Sequence, residues 1–514
     1  MIDVLLNLCF RVIFCRFLKR NLFVMCQVDE DYGRDIRSAD FLSISKQCVK
    51  CKVHTPAVLL RVGDPYCRGC FHEYFIHKFR AMLGKNRIIF PGERVLLAVS
   101  GGPSSCSMLH QVQQGLSVNA HKKLRFTPGI VFIDEGALIG RSLEDRHKTN
   151  TNIRVLFEST GFPFHIVPLE QVLELPTLVL TRPHMSGSNS ASSYKVAVGK
   201  FDQNKSCAIQ PSCQQKEPVD VSKVHTVQLQ QLVTSVKTHT AREELLNMLR
   251  QHLLLHMARI EGYSKLMLGD NCTRLAVKLL SNISLGRGSQ TALDTGFSDS
   301  RYGDVIAVRP MRDYSAKEIA YYNHLFNVPY VFISGLDSKA SDKDSIQRLT
   351  ESFVTKLQTA FPSTVRTIYR TSEKLQTACK GPSAVEDSPR CVLCLCALDT
   401  FAENASAFQA TLISEQLSQN NRPDDCLPTL KYDANKSAAN CSGQCHEDGS
   451  CSLSLSKLEA VELKTLLCYS CQLTIKDMSS LKHLPSYIVS EAQRRLRRSQ
   501  MRAEISNFLL DETA

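Results

Sequence analysis

An uninterrupted apolar run is missing from the most hydrophobic part of this 514-residue chain. Residues 1–24 are rich in Leu, Val and Phe, but Arg11, Arg16, Lys19 and Arg20 break them up. A bilayer span needs about 20 consecutive apolar residues, so no membrane segment is expected here. A secretory signal would place its charges first and its apolar stretch second, whereas this stretch interleaves them. Residues 1–40 are expected to be an N-terminal extension, either disordered or a gene-model artefact, with a translation start at Met25 making residues 1–24 a gene-model extension. A targeting or surface helix is the other reading. Acidic residues are also in short supply, with 50 Asp and Glu against 62 Lys and Arg and a formal charge of +12. That balance points to polyanionic partners such as nucleic acid, and says nothing about fold.

Cysteine, by contrast, is plentiful, with 21 in the chain. Several form pairs at two-residue spacing, which suits metal better than disulfides and fits a reducing, cytoplasmic setting. Cys48 and Cys51 are separated by 15 residues from Cys67 and Cys70. Two tight turns of this kind aim four thiolates at one tetrahedral ion, so a zinc knuckle is expected over residues 41–84. Four reduced cysteines on two loops is the bland alternative. Cys391 and Cys394, with Cys396 adjacent, and Cys468 and Cys471 are candidates for a second zinc site, in a C-terminal cysteine-rich module over residues 381–514. A polar loop at about 402–458, expected to be disordered, separates these pairs. Its Cys426, Cys441, Cys445, His446 and Cys451 read as background.

Residues 94–110 organise the middle of the chain. The apolar run at 95–99 suits only a buried strand at that length. Ser100, Gly101 and Gly102 follow, and Ser104 or Ser105 is placed to cap a helix through Met108, Leu109 and Val112. A glycine turn feeding a helix N-terminus is an anion site, because free N–H groups and the helix dipole both favour a phosphate. On two glycines alone, a ligand-free strand–turn–helix corner is the favoured reading. Further apolar strands are expected at 126–134, ending in Asp134 and Glu135, and at 164–168, 266–269 and 305–310. A long helix with Leu245, Leu246, Leu249, Leu253 and Met257 at helical spacing is expected at 242–262. The alternation predicts an α/β domain at 85–380, a doubly wound parallel sheet of Rossmann-like type, with acids at strand ends where such sheets bind nucleotides. A Ser-, Gln- and Lys-rich insertion at about 182–224, holding Cys207 and Cys213, reads as a disordered loop. Arg494, Arg495, Arg497 and Arg498 form either a solvated helix face or an RNA backbone contact.

The order Ser-Gly-Gly-x-x-Ser after an apolar strand resembles the PP-loop of the ATP-pyrophosphatase superfamily, usually Ser-Gly-Gly-x-Asp-Ser. Ser100, Gly101, Gly102 and Ser105 match, and Ser104 stands where the superfamily has Asp. Residues 266–274 resemble the second block, usually Thr-Gly-His-Asn-x-Asp-Asp. Gly269 and Asn271 match, while Asp270 replaces His, and Thr273 and Arg274 replace the two acids. Residues 309–322 resemble the closing strand and helix, whose arginine and glutamate help build the nucleotide face, and 361–374 continue the pattern. Residues 238–244 lack the Cys-x-x-Cys that the eukaryotic catalytic subunit carries there.

Together these features are similar to the cytoplasmic tRNA 2-thiolation protein 2 family, over residue 48 to the C-terminus. The resemblance implies a heterodimer with a catalytic PP-loop subunit. That pair moves sulfur from a thiocarboxylated ubiquitin-related carrier to C2 of the wobble uridine in tRNA-Lys, tRNA-Glu and tRNA-Gln. It also implies a nucleotide grip, whole or vestigial, at Ser100, Gly101, Gly102, Ser105, Asp134 and Gly269. The activation step needs pyrophosphate held, magnesium on hard oxygen ligands, and a thiolate near the activated carbon. Only the first is kept in its usual form. A noncatalytic subunit is therefore expected, with ATP and magnesium serving the complex. Recruitment of Asp134, Asp270 or Cys272 to the lost roles is the competing idea. A stand-alone ATP-dependent adenylating enzyme and a structural adaptor that never touches RNA are the alternatives in other classes.

Overall fold

The computed structural model describes residues 47–60, 64–117, 120, 123–183, 222–333, 335, 341, 343–361, 363–375, 389–398 and 460–505. The N-terminal extension, the loop at 402–458 with its cysteines, and nearly all of the insertion at 182–224 with Cys207 and Cys213 lie outside the described residues.

In chain order, a two-stranded antiparallel hairpin, β1 (Val58–Leu59) and β2 (Pro65–Tyr66), leads into helix α1 (Arg68–Asn86). Then come β3 (Arg94–Ala98), α2 (Pro103–Leu116), β4 (Thr127–Asp134), α3 (Leu143–Glu158) and β5 (Phe164–Pro168). After α4 (Lys223–Thr234) and α5 (His239–Ile260) follow β6 (Lys265–Leu268), α6 (Cys272–Ser284), the short α7 (Thr291–Thr295), β7 (Ser298–Asp299) and β8 (Ile306–Val308). The chain continues through α8 (Ala316–Leu325), α9 (Ile346–Ala360) and α10 (Thr364–Lys374), and ends with α11 (Ala460–Thr465), α12 (Tyr469–Lys476) and α13 (Ser486–Ile505).

The six-stranded sheet has the order β5-β4-β3-β6-β8-β7. β3 pairs in parallel with both β4 and β6, so the strand order reverses at β3. The crevice beyond the carboxyl ends at such a switch point is where open α/β sheets take ligands, and the glycine turn emerges there. The expected strands are all present within a residue or two. The sheet differs from the expectation of a wholly parallel one in β7, which runs antiparallel to β8 at the edge. Two residues carry no readable alternation, so this edge gave no signal in the sequence.

Side chains along each strand alternate between faces, and each face supports its own core. Leu96, Val131 and Leu266 belong to a cluster with Leu245, Leu249 and Leu253 of α5. Val95, Leu97, Ile130, Phe132 and Met267 belong to a second cluster with Met108 and Val112 of α2 and Ile153 and Phe157 of α3. A third cluster joins α6, α9 and α10 through Leu275, Leu279, Val354, Val365 and Ile368.

The cysteine-rich segments are built into the first two cores. Phe71, Phe75 and Phe79 of α1, at helical spacing just after Cys67 and Cys70, are fully buried with the α2 and α3 side chains. Phe75 stacks on Tyr322 of α8, with centroids 3.9 Å apart and planes 8° from parallel. Lys78 donates to both oxygens of Glu318 at 3.0 Å, and Tyr74 donates to the same carboxylate. On the opposite face, Cys391, Leu393, Leu467, Cys471, Tyr487 and Ile488 pack with α5. No helix among the described residues is long and apolar enough to cross a membrane.

Truncating Phe75 to Ala removes the ring that joins α1 to α8 in this core. Phenylalanine truncations at buried sites cost about 3–5 kcal/mol. The Phe75→Ala protein is expected to unfold at clearly lower denaturant concentration than the parent, followed by circular dichroism.

Candidate functional site

The glycine turn has the backbone the sequence called for. Gly101 sits at φ +80°, in the region glycine enters without strain. A Cβ there would lie 3.0 Å from Ile153 Cδ1 and 3.1 Å from Ile333 Cδ1. The cap differs from the expectation. Gly102 is the N-cap of α2, Pro103 takes the first helical position, and no side chain caps the helix. Proline suits that position because its φ is already helical and its missing N–H would have had no partner. The two serines serve elsewhere. Ser104 donates to the Gly269 carbonyl at 2.6 Å, and Ser105 donates to Gly102 O at 3.1 Å. Ser100 Oγ lies 3.2 Å from Ser105 Oγ.

Gly269 approaches so closely that a Cβ on it would stand 2.9 Å from Ser105 Cα. The two glycine-bearing motifs, 165 residues apart, therefore meet backbone to backbone, and Asn271 caps α6 by accepting from the Arg274 amide. Ser100, Gly101, Gly102, Ser105 and Gly269 are thus gathered at one corner. The start of α2 there keeps the dipole and first-turn amides that favour an anion.

The carboxylates beside this corner are engaged. Asp134 Oδ2 accepts from Arg146 Nε at 2.9 Å and from Asn150 at 3.2 Å, and its Oδ1 accepts the Gly136 amide at 2.8 Å. Arg146 is buried and turns its other nitrogens to Glu170, at 2.6 and 3.1 Å. Glu135 is held by Arg250, and Asp270 by Arg309 at 3.3 Å. So Asp134, Glu135 and Asp270 each have an arginine of this chain as counter-ion. Glu318 is tied into the Ser315 capping box as well as to Lys78. The nearby thiols are muted. Burial pushes Cys272 up to about 11 and Cys106 up to about 12. A thiol must ionise to act as a nucleophile, so neither is a ready sulfur acceptor.

Both cysteine quartets converge. The sulfurs of Cys48, Cys51, Cys67 and Cys70 lie within 4.8 Å of one another, and so do those of Cys391, Cys394, Cys468 and Cys471. Each set could hold a metal ion. All eight are free thiols, with Cys51 and Cys67 sulfurs 3.9 Å apart and Cys394 and Cys468 sulfurs 3.5 Å apart, well beyond the roughly 2.05 Å of a disulfide. Cys51 is drawn down to about 5, chiefly by the His54 amide, then by the Val53 amide and the His54 ring.

The second quartet is steadied by residues the sequence did not single out. His252 of α5 contacts the Leu393 carbonyl at 2.7 Å through Nε2 and the Tyr487 hydroxyl at 2.8 Å through Nδ1. Arg287, half-buried and paired with Glu244 at 2.7 Å, donates to Cys471 Sγ at 3.8 Å. Cys396 stands outside the quartet, and its sulfur accepts from Arg301 at 2.8 Å. None of these long-range partners has a local spacing that could have announced it.

The four arginines of α13 divide. Arg494 and Arg495 both pair with the buried Glu491 at 2.7 Å, and Arg495 also donates to the carbonyls of Arg390 and Leu180. Arg497 and Arg498 are exposed.

A protein from Danio rerio called cytoplasmic tRNA 2-thiolation protein 2 is 53% identical over 503 residues, spanning 95% of this chain and 99% of its own. The chain belongs to the cytoplasmic tRNA 2-thiolation protein 2 family. The Homo sapiens member is 47% identical over 518 residues, covering 95% of this chain and 99% of that protein. The family model described as Cytoplasmic tRNA 2-thiolation protein 2 matches residues 345–473, from the start of α9 into α12. Among solved structures, the U34-tRNA thiolase NcsA from Methanococcus maripaludis with its [4Fe-4S] cluster aligns with a TM-score of 0.45 and 16% identity. That alignment covers 70% of this chain and 98% of the other, a likeness too slight to carry an argument. In this family member the second quartet lies in the core on one face of the sheet, and the first adjoins α1, whose Phe71, Phe75 and Phe79 pack into the core on the other face.

Burial sets a pH dependence at His252. It depresses the imidazole from 6.5 to about 4, against the pull of the Leu393 carbonyl, which favours the charged form. Above pH 6.5 the ring is neutral in both folded and unfolded chains. As pH falls from 6.5 to 4, the unfolded chain takes up a proton that the folded one refuses, so stability drops by about 3 kcal/mol in that window. The His252→Gln variant is expected to show a shallower decline between pH 7 and 4 than the parent, measured by denaturant titration at each pH.

Proposed function

We propose that this chain is the noncatalytic subunit of a cytosolic tRNA 2-thiolation complex. It pairs with an active PP-loop subunit as a heterodimer. The complex takes sulfur from a thiocarboxylated ubiquitin-related carrier and places it at C2 of the wobble uridine in tRNA-Lys, tRNA-Glu and tRNA-Gln. Family membership supports the process and the cytoplasmic setting, since the relatives carry both in their names.

The observation that carries the noncatalytic assignment is the pairing of Asp134, Glu135 and Asp270 with Arg146, Arg250 and Arg309. Magnesium bound to nucleotide phosphates needs one or two carboxylate oxygens at its command. Taking Asp134 from Arg146 would leave a buried guanidinium without half of its compensation, a loss of several kcal/mol. The glycine corner keeps the shape of a phosphate grip, and ATP and magnesium do their work on the partner subunit. What remains for this chain is positioning of tRNA and partner.

Zinc fits both quartets by their donor sets. A tetrahedral ion with Zn–S bonds of about 2.3 Å places sulfurs about 3.8 Å apart. The sulfur separations of 3.9 and 3.5 Å given above bracket that value. Cys48, Cys51, Cys67 and Cys70 would hold one ion and Cys391, Cys394, Cys468 and Cys471 the other. A bound ion supplies structural cross-linking at these sites. Arg287 offsets the charge of the second thiolate set.

Two outcomes follow. The purified full-length protein is expected to carry close to two zinc equivalents by elemental mass spectrometry, and Cys394→Ser to carry close to one; a folded, metal-free parent would remove the zinc assignment. The chain alone, given ATP, carrier and tRNA, is expected to form no 2-thiouridine by nucleoside mass spectrometry, while the complex forms it. Product from the chain alone, or ATP–pyrophosphate exchange by it, would instead favour a self-sufficient adenylating enzyme.

A further inference from the structure

Helix α10 has two unlike faces. Val365, Ile368, Tyr369 and Ser372 are buried against α6 and α9. Arg366, Arg370 and Lys374 recur every four residues on the other side, with Arg370 and Lys374 exposed and Arg366 partly so. Four helical residues rise about 6 Å, a step comparable to that between successive phosphates of one strand.

Two neighbouring helix starts extend this charge. The Ala316 amide donates to Thr273 Oγ1 at 3.3 Å, which joins the N-termini of α8 and α6. Arg274 and Lys317, in the first turns of those helices, are both exposed. The Arg366 charge is felt at Cys272, the first residue of α6, and at Lys78 beside Glu318. α10 is tied to the same corner by Tyr369, which donates to Asp313 Oδ1 at 2.6 Å. Two acids of this corner have partners, Asp313 accepting from Tyr369 and Glu318 from Lys78 and Tyr74. Phe361, two residues before the N-cap of α10, is 62% exposed, an aromatic ring standing at the head of a basic helix. α6 and α8 begin at the carboxyl ends of β6 and β8, the edge of the sheet from which the glycine turn also emerges.

We infer that Arg274, Lys317, Phe361, Arg366, Arg370 and Lys374 form the surface on which this chain docks tRNA. The cations meet the phosphate backbone, and Phe361 offers its ring to an unstacked base. The inference rests on the tRNA role proposed above and gives it a location. It favours α10 over α13, where Glu491 already neutralises two of the four arginines. Phosphates supply most of the salt-dependent affinity, and aromatic rings stack bases with little regard to sequence.

The test uses the full-length protein and transcribed tRNA-Lys, with affinity read by fluorescence anisotropy over a salt series. Arg370→Glu with Lys374→Glu is expected to weaken binding about tenfold or more and to flatten the plot of log affinity against log salt by about 1.4–1.8 units. Phe361→Ala is expected to weaken binding with the salt slope unchanged. Arg497→Glu with Arg498→Glu, which alters net charge equally, is the control and is expected to change affinity far less. Matching melting curves for all variants establish folding. Equal losses in the two double variants would reduce the effect to net charge and overturn the assignment. So would unchanged tRNA affinity in the α10 variant, and if that variant lost its partner subunit instead, the face would be a protein contact. Failure of the underlying role is read separately, as cells without this chain that keep their 2-thiouridine.

Discussion

Alternation along one strand constrains this molecule more than any other feature. β3 is flanked on both sides by parallel neighbours, so Leu96 must point to one face of the sheet and Val95 and Leu97 to the other. A slip of one residue would exchange the two faces and strand both cores. Each face is completed by a different end of the chain, α1 on one side and the segments around Cys391 and Cys471 on the other. The thiol quartets inherit their geometry from this arrangement. Phe71, Phe75 and Phe79 sink α1 into one core and thereby present Cys67 and Cys70. His252 and Tyr487 do the corresponding work for the turn bearing Cys391 and Cys394.

At the carboxyl edge of the sheet the same rigidity has another result. A doubly wound sheet brings acids to that edge whether or not they are used in chemistry. Here arginines from α3, α5 and the segment after β8 close on them. The Arg146 guanidinium bridging Asp134 and Glu170 is buried, and breaking such a pair exposes an uncompensated charge to a low dielectric. The corner retains its backbone while its side chains are bound up in holding the structure together. Glycines shape the chain at this corner, and the carboxylates beside it are paired with arginines.

Much of this was readable from local pattern. Five strands, the long α5 and the glycine turn follow from periodicity and from the few conformations glycine and proline favour. The cysteine quartets follow from paired spacing, even across 74 residues between Cys394 and Cys468. What could not be read depends on partners distant in sequence. Ser104 and Ser105 look like caps, because a hydroxyl before a helix usually is one, but Pro103 lets Gly102 serve and frees Ser104 for Gly269. The two-residue β7 has no period to detect. Arg146, Arg250 and Arg309 are ordinary arginines until the fold brings them to Asp134, Glu135 and Asp270. The α13 arginines show the same limit, since only Arg497 and Arg498 stay clear of Glu491.

The second quartet takes its halves from either side of a long intervening stretch, and both halves are pinned to α5. Once the two ends are fastened, closure entropy grows only with the logarithm of the length between them, about 0.6 kcal/mol for each doubling. This second quartet therefore takes its position from α5, which contacts both of its halves.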